Sequence, residues 1–287
     1  MDTTASLTAL FVSHGSPMTA LEPGDAGTHW QRLGAAIDAT FGRPRAIVAL
    51  SAHSLTREPV LLAAARHETV HDFGGFPDAL YRLRYDAPGA PALAPRVQRL
   101  LAGAGIAAHV ADEGGLDHGI WVPLRFIYPD ADVPVLPLAW VPGDPPSAQF
   151  VLGAALAPLA DEGVLVLGTG SITHNLRLLG NFTGRGPAAQ PERAESTAFR
   201  DWFAERGAAR DWDALFDYRR RAPHAVLMHP TDEHLLPWYG AAGAGGREHA
   251  PLRLHAGSAY GALGMDVYAF GASAPRLARA LDAAVTP

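Results

Sequence analysis

The chain has 287 residues, a net charge of −6 and no cysteine, the profile of an ordinary globular protein with one large domain or two small ones. The absence of thiols excludes disulfides, thiolate nucleophiles, iron–sulfur clusters and cysteine-type zinc sites, so a metal would have to be held by nitrogen and oxygen. No block of basic residues marks a surface for duplex nucleic acid or an anionic membrane, and the longest apolar runs are far too short to cross a bilayer.

The opening Met1-Asp2-Thr3-Thr4 lacks the basic-then-apolar pattern of a secretory signal, so a cytoplasmic location is expected. Short apolar runs bounded by turn residues predict buried strands over Leu7–Ser13, Ala46–Ser51, Val133–Ala139, Val164–Gly168, Ala225–Met228 and Val267–Phe270. Between them, helices are predicted over His29–Phe41, Ala92–Ala104, Gly119–Ile127, Ala148–Ala160, Arg193–Arg206 and Asp211–Arg221. A further helix is expected from a cap at Asp232 through Trp238. Gly180–Arg193 and Gly240–Gly246 read as surface loops, the second a flexible one. Neither loop demands a boundary, so residues 1–287 are expected to form a single catalytic domain. The alternation predicts an α/β fold with a largely parallel central sheet flanked by helices. Ligands of such sheets bind beyond the carboxyl ends of the strands.

Four of the thirteen histidines sit at those ends. His14 follows Leu10–Ser13, His53 follows Val48–Ala52, His174 comes soon after Val164–Gly168, and His229 follows Ala225–Met228. A single such histidine is more often structural than functional. Four in matching positions can bring their imidazoles to one point, and a histidine-rich site with open positions suits zinc or non-haem Fe(II). His29, His67, His109, His249 and His255 lack this context and read as structural or solvated. Two more clusters can reach the pocket: His71-Asp72-Phe73-Gly74-Gly75-Phe76-Pro77 and Leu116-Asp117-His118-Gly119-Ile120-Trp121. Phe73, Phe76 and Trp121 offer flat faces to an aromatic substrate. His118, at a helix start, is either a site residue or a plain cap.

In this order, Ser13–Pro17, Ser51–His53, His71–Pro77, Gly115–Gly119, Gly170–Leu176 and His229–His234 together resemble the class III extradiol ring-cleavage dioxygenases, in the branch that contains DOPA 4,5-dioxygenase. The resemblance spans most of the chain. It implies one divalent metal, Fe(II) for the reaction with zinc as another occupant, and a small aromatic diol and O2 as substrates. It further implies His14, His53 and His229 as metal ligands, His174 as a base just outside the ligand set, and His118 as an assisting group near substrate or O2. Asp232 and Glu233 follow His229 closely, so a carboxylate is the competing third ligand. Two other functions compete with ring opening. A zinc hydrolase would use the same nitrogens, although the sequence has no H-E-x-x-H helix. A non-catalytic binding protein could share the fold, but it would have no need of four strand-end histidines.

Overall fold

In the computed structural model, which describes residues 6–179 and 190–283, eight strands make one sheet. They are β1 (Ala9–Ser13), β2 (Ala46–Ser51), β3 (Val60–Leu62), β4 (His109–Ala111), β5 (Val135–Ala139), β6 (Val164–Gly170), β7 (Leu252–His255) and β8 (Val267–Phe270). The order across the sheet is β4-β3-β5-β2-β6-β1-β8-β7. The four central strands, β5, β2, β6 and β1, are mutually parallel. Antiparallel pairing appears only toward the edges, where β8 joins β1 and β7, and β3 joins β5.

The central strands are apolar at successive positions because both faces of the sheet are covered. Ala46, Val48 and Leu50 of β2 enter one core, and Ile47 and Ala49 enter the other. In β1, Phe11 and Val12 divide in the same way. The helices that cover the sheet are α1 (Gly24–Phe41), α2 (Ala94–Gly103), α3 (His118–Ile127), α4 (Pro146–Ala155), α5 (Ala194–Ala208), α6 (Leu236–Gly245) and α7 (Ala274–Ala283). Trp30 of α1, Trp121 of α3 and Leu277 of α7 pack on one face, whereas Val97 of α2, Phe150 of α4, Phe203 of α5 and Trp238 of α6 pack on the other. The result is a single α/β domain with a mostly parallel sheet between two helical layers. Among the described residues no helix is long and apolar enough to cross a membrane.

Three local expectations are corrected. Ala225–Met228 is a one-turn helix rather than a strand. Its burial shows why, because Ala225 and Met228 are buried while Val226 and Leu227 are exposed, the i, i+3 spacing of a helix face. A four-residue apolar run is too short for periodicity to separate the two states. Gly240–Gly246 is not a flexible loop, because nearly all of it belongs to α6, which lies directly against α4. Its glycines make that contact possible. A Cβ on Gly153 of α4 would stand 1.8 Å from the Gly240 carbonyl oxygen, and one on Gly243 would stand 2.0 Å from that of Phe150. The helix also starts later than Asp232, whose carboxylate is taken by Tyr218 and Arg219 instead of serving as a side-chain cap. Of the loop expected over Gly180–Arg193, residues 180–189 lie outside the described residues, and the rest leads into α5.

The helix contact yields a prediction of sign. Gly153→Ala gains helix propensity of about 1 kcal/mol, but it forces two backbones apart. A net destabilisation of about 1–3 kcal/mol is expected from overpacking. Urea unfolding checks it, and an unchanged or raised midpoint would refute the close-packed interface.

Candidate active site

The parallel centre delivers the first two histidines. β1 ends at Ser13 and β2 at Ser51, with β6 between them, so His14 and His53 emerge at the same edge on either side of β6. Gly15 turns the chain away from the site in the left-handed region at φ +70°. A side chain there would also meet Thr19 and Met265 within 2.9 Å. His14 is held by the strand between: its Nδ1 lies 3.0 Å from Thr169 Oγ1, and that hydroxyl donates to the Gly119 carbonyl at 2.6 Å. The hydroxyl proton is spent there, so Thr169 accepts from His14 Nδ1–H. The lone pair of His14 is therefore on Nε2.

Nε2 of His14 faces Nε2 of His53 at 3.2 Å. His53 Nδ1 stands 3.5 Å from Asp72 Oδ2, so its proton belongs on that side and its lone pair also points inward. A third imidazole completes the group. His234 accepts a backbone bond from Ser171 at its carbonyl, and a Cβ on Gly170 would come 2.1 Å from that oxygen. Gly168 makes the same room for Pro237. The two glycines at the end of β6 thus let the segment entering α6 lie directly on the strand. His234 Nδ1 is 3.0 Å from Glu233 Oε1, and its buried Nε2 has no partner among the described residues. Donor atoms of His14, His53 and His234 all lie within 4.8 Å of one another.

Three nitrogen lone pairs converging in a buried space repel unless a proton or a cation lies among them. That donor chemistry fits a divalent metal. Two other groupings include a carboxylate: His53, Asp72 and His118, and His174, Glu233 and His234. In both, the carboxylate already has N–H donors. Asp72 accepts from the His118 backbone and ring, and Glu233 accepts from His234.

His118 and His174 flank the trio. His118 begins α3, whose N-cap Asp117 accepts from Ser51 Oγ and Ser54 Oγ at 2.6 Å each. Ser51 Oγ in turn accepts from the His53 backbone N–H at 3.1 Å. One buried carboxylate therefore ties the end of β2 to the start of α3. The His118 ring lies 4.1 Å from that of His53, centre to centre. His174 stacks on His234 at 3.4 Å and 6°. Alongside is a cavity of about 560 Å³ whose walls include His53, His118, His174 and His234, with Phe73, Phe76 and Leu176 as apolar surface.

Burial sets the charge state. It drives His14 and His234 well below the usual imidazole range, helped by the neighbouring rings. Burial and then His118 take His53 down to about 3. Burial, and then His229, also bring His174 to about 3. Burial pushes Asp72 upward, but its hydrogen bonds from His118 and that ring's charge outweigh this and bring it to about 2. Burial raises Asp117.

Of the residues singled out from sequence, His14, His53, His118, His174, Phe73 and Phe76 are brought together. His229 is not. Its Nε2 bonds to the Ile172 carbonyl at 2.7 Å, and its fully buried ring lies against Phe199 and Tyr218. It follows a helical turn and not a strand, so the strand-end rule that selected it did not apply. His234, five residues later, occupies the place expected of it. The usable signal was the glycine pair in Gly168-Thr169-Gly170, which marks a close backbone approach to the strand end. Asp232 is likewise engaged elsewhere. Trp121 does not reach the cavity. It is fully buried, donates to the Val70 carbonyl at 3.0 Å, and backs Phe73 from behind.

Known proteins share this arrangement of chain. Residues 8–270 match the family described as the catalytic LigB subunit of aromatic ring-opening dioxygenase. A 4,5-DOPA dioxygenase extradiol of Beta vulgaris is 38% identical over 247 residues, covering 85% of this chain and 89% of that protein. One from Escherichia coli K12 with the same name is 37% identical, covering 82% and 84%. The crystal structure of an uncharacterized Escherichia coli K12 protein superposes with a TM-score of 0.74 at 32% identity, covering 92% of this chain and all of that one. With nearly its whole length matched, the chain belongs to the family of catalytic LigB subunits of aromatic ring-opening dioxygenases and is an extradiol dioxygenase.

Proposed function

We propose that this extradiol dioxygenase, a single cytoplasmic catalytic domain, opens a catechol ring at one Fe(II) held by His14, His53 and His234. The observation that supports this most is the convergence of one nitrogen from each ring, with His14 Nε2 and His53 Nε2 3.2 Å apart and His234 Nε2 buried and unpartnered among the described residues. When bound, Fe(II) supplies the Lewis acidity and redox chemistry through which a catechol and O2 react. Zinc fits the same nitrogens but has no accessible redox change.

The chain's own residues then have separable tasks. Phe73 and Phe76, at 5.3 Å from each other and edge to face, form an apolar wall for a flat ring. His174 is neutral at physiological pH and accepts a catechol proton at an imidazole nitrogen. His118 presents its second nitrogen to the cavity, where it donates or accepts beside the reacting carbons. The names of the relatives make 3,4-dihydroxyphenylalanine the first catechol to test.

Fe(II)-loaded protein is expected to consume O2 when a catechol is added, and zinc-loaded protein is not. No uptake with any catechol, together with ester cleavage by the zinc form, would make it a hydrolase. His234→Gln should abolish metal retention on gel filtration while His229→Gln keeps it; the reverse result would restore His229 as the ligand. His174→Ala should retain metal and lose about 10²–10⁴-fold in kcat, whereas loss of metal would make His174 a ligand. A pH effect is expected in the metal-free protein. His229 is brought from 6.5 to about 4 by burial, and His53 and His174 shift the same way. Between those values the unfolded chain binds more protons than the folded one. Stability is therefore full above pH 6.5 and falls as the pH drops toward 4, as denaturant titrations at pH 7 and pH 5 will read.

A further inference from the structure

We infer that Asp72 is a positioning residue, one carboxylate that fixes the ring orientation and tautomer of both His118 and His53 so that their Nε2 atoms are left to the cavity. The proposal rests on the metal-centred reading above and extends it to a carboxylate on the cavity wall, outside the trio of nitrogens.

Both oxygens of Asp72 face N–H donors. Oδ1 accepts from the His118 backbone N–H at 2.9 Å. Oδ2 accepts from His118 Nδ1 at 2.9 Å and lies 3.5 Å from His53 Nδ1. A neutral imidazole has one N–H and one lone pair, so fixing the proton on Nδ1 puts the lone pair on Nε2. For His53 that is the atom facing His14. The same carboxylate therefore acts on a ligand of the trio and on a ring beside it. Carboxylates behind metal-binding imidazoles work in this way.

The loop that carries Asp72 is anchored on both sides. His71 Nε2 is 3.2 Å from the Leu83 carbonyl, and the Phe73 ring packs between His118 and Trp121. The His118 side chain is only 7% exposed, so its ring N–H has little access to water as an alternative acceptor. Both oxygens of Asp72 are already oriented on His118 by N–H donors, which turns the carboxylate toward that ring.

The test uses the full chain with Asp72→Asn and Asp72→Ala. The Asn variant is nearly isosteric and keeps the fold accessible, while Ala removes the acceptor altogether. Metal content is measured first. In the diamagnetic zinc form, long-range ¹H–¹⁵N correlation reads the tautomer of His118, identified by the signal lost in His118→Gln. In the Fe(II) form, O2 uptake gives kcat and KM for a catechol. We expect metal retained, KM little changed, kcat lowered about 10–100-fold, and the His118 proton no longer confined to Nδ1. We also expect a less than additive loss when Asp72→Asn is combined with His118→Gln, the share carried by His118 being lost once and the remainder passing through His53. Loss of metal in Asp72→Asn to the level of His234→Gln would make Asp72 a ligand and overturn the proposal. An unmoved His118 tautomer, or fully additive losses, would overturn it equally. If the wild type consumes no O2, the functional reading fails, and the tautomer measurement still decides the role of Asp72.

Discussion

Two imidazole nitrogens held 3.2 Å apart with both lone pairs inward form an arrangement that a protein must impose from outside. Left free, either ring would rotate or take a proton. Here His14 is fixed from behind by Thr169, and His53 Nδ1 faces the Asp72 carboxylate at 3.5 Å. The backbones that carry them are fixed by parallel pairing to β6. Thr169 belongs to that middle strand and passes its own proton to Gly119 at the start of α3. The sheet register, the helix start and the histidine tautomer are thus one connected hydrogen-bond system. Such a system is costly to leave half-satisfied.

Most of this architecture was legible in the sequence because it rests on two simple regularities. Strands buried on both faces read as continuous apolar runs, and β1, β2, β5, β6 and β8 all do. Ligands gather beyond the strand ends, which picked out His14, His53 and His174 without reference to any relative. What sequence reasoning missed lies where backbone, not side chain, makes the contact. Short outer strands such as Val60–Leu62 and His109–Ala111 carry partly exposed residues and give little pattern. That His234 and not His229 lies in the histidine cluster was hidden for a similar reason. Both follow or precede apolar residues, and only the path of the chain across Gly168 and Gly170 decides between them.

Composition misled most at α6. Gly-Ala-Ala-Gly-Ala-Gly-Gly has the makeup of a flexible linker, yet most of it is among the tightest-packed segments of the molecule. Glycines lower helix propensity by leaving the chain free. They also permit two backbones to meet without intervening side chains, and here the packing outweighs the propensity. The pocket shows a parallel division. Phe73 and Phe76 were expected on the wall and lie there, whereas Trp121 serves one layer deeper, its indole N–H satisfied by Val70.

The contact of α6 with α4 and β6 has a consequence for how such a site can diversify. His234 enters on a segment laid backbone to backbone on the sheet, with no compressible side-chain layer beneath it, so the nitrogen it contributes has little slack. The opposite wall of the cavity hangs on residues 70–77, an irregular stretch without helix or strand. One half of the pocket is therefore built on backbone packed against the sheet and the other on side-chain contacts of a loop. Substitutions at Phe73 or Phe76 can reshape the space offered to a ring while the three nitrogens stay where they are. Asp72 is the point at which the two halves join, and it sets the limit to that freedom.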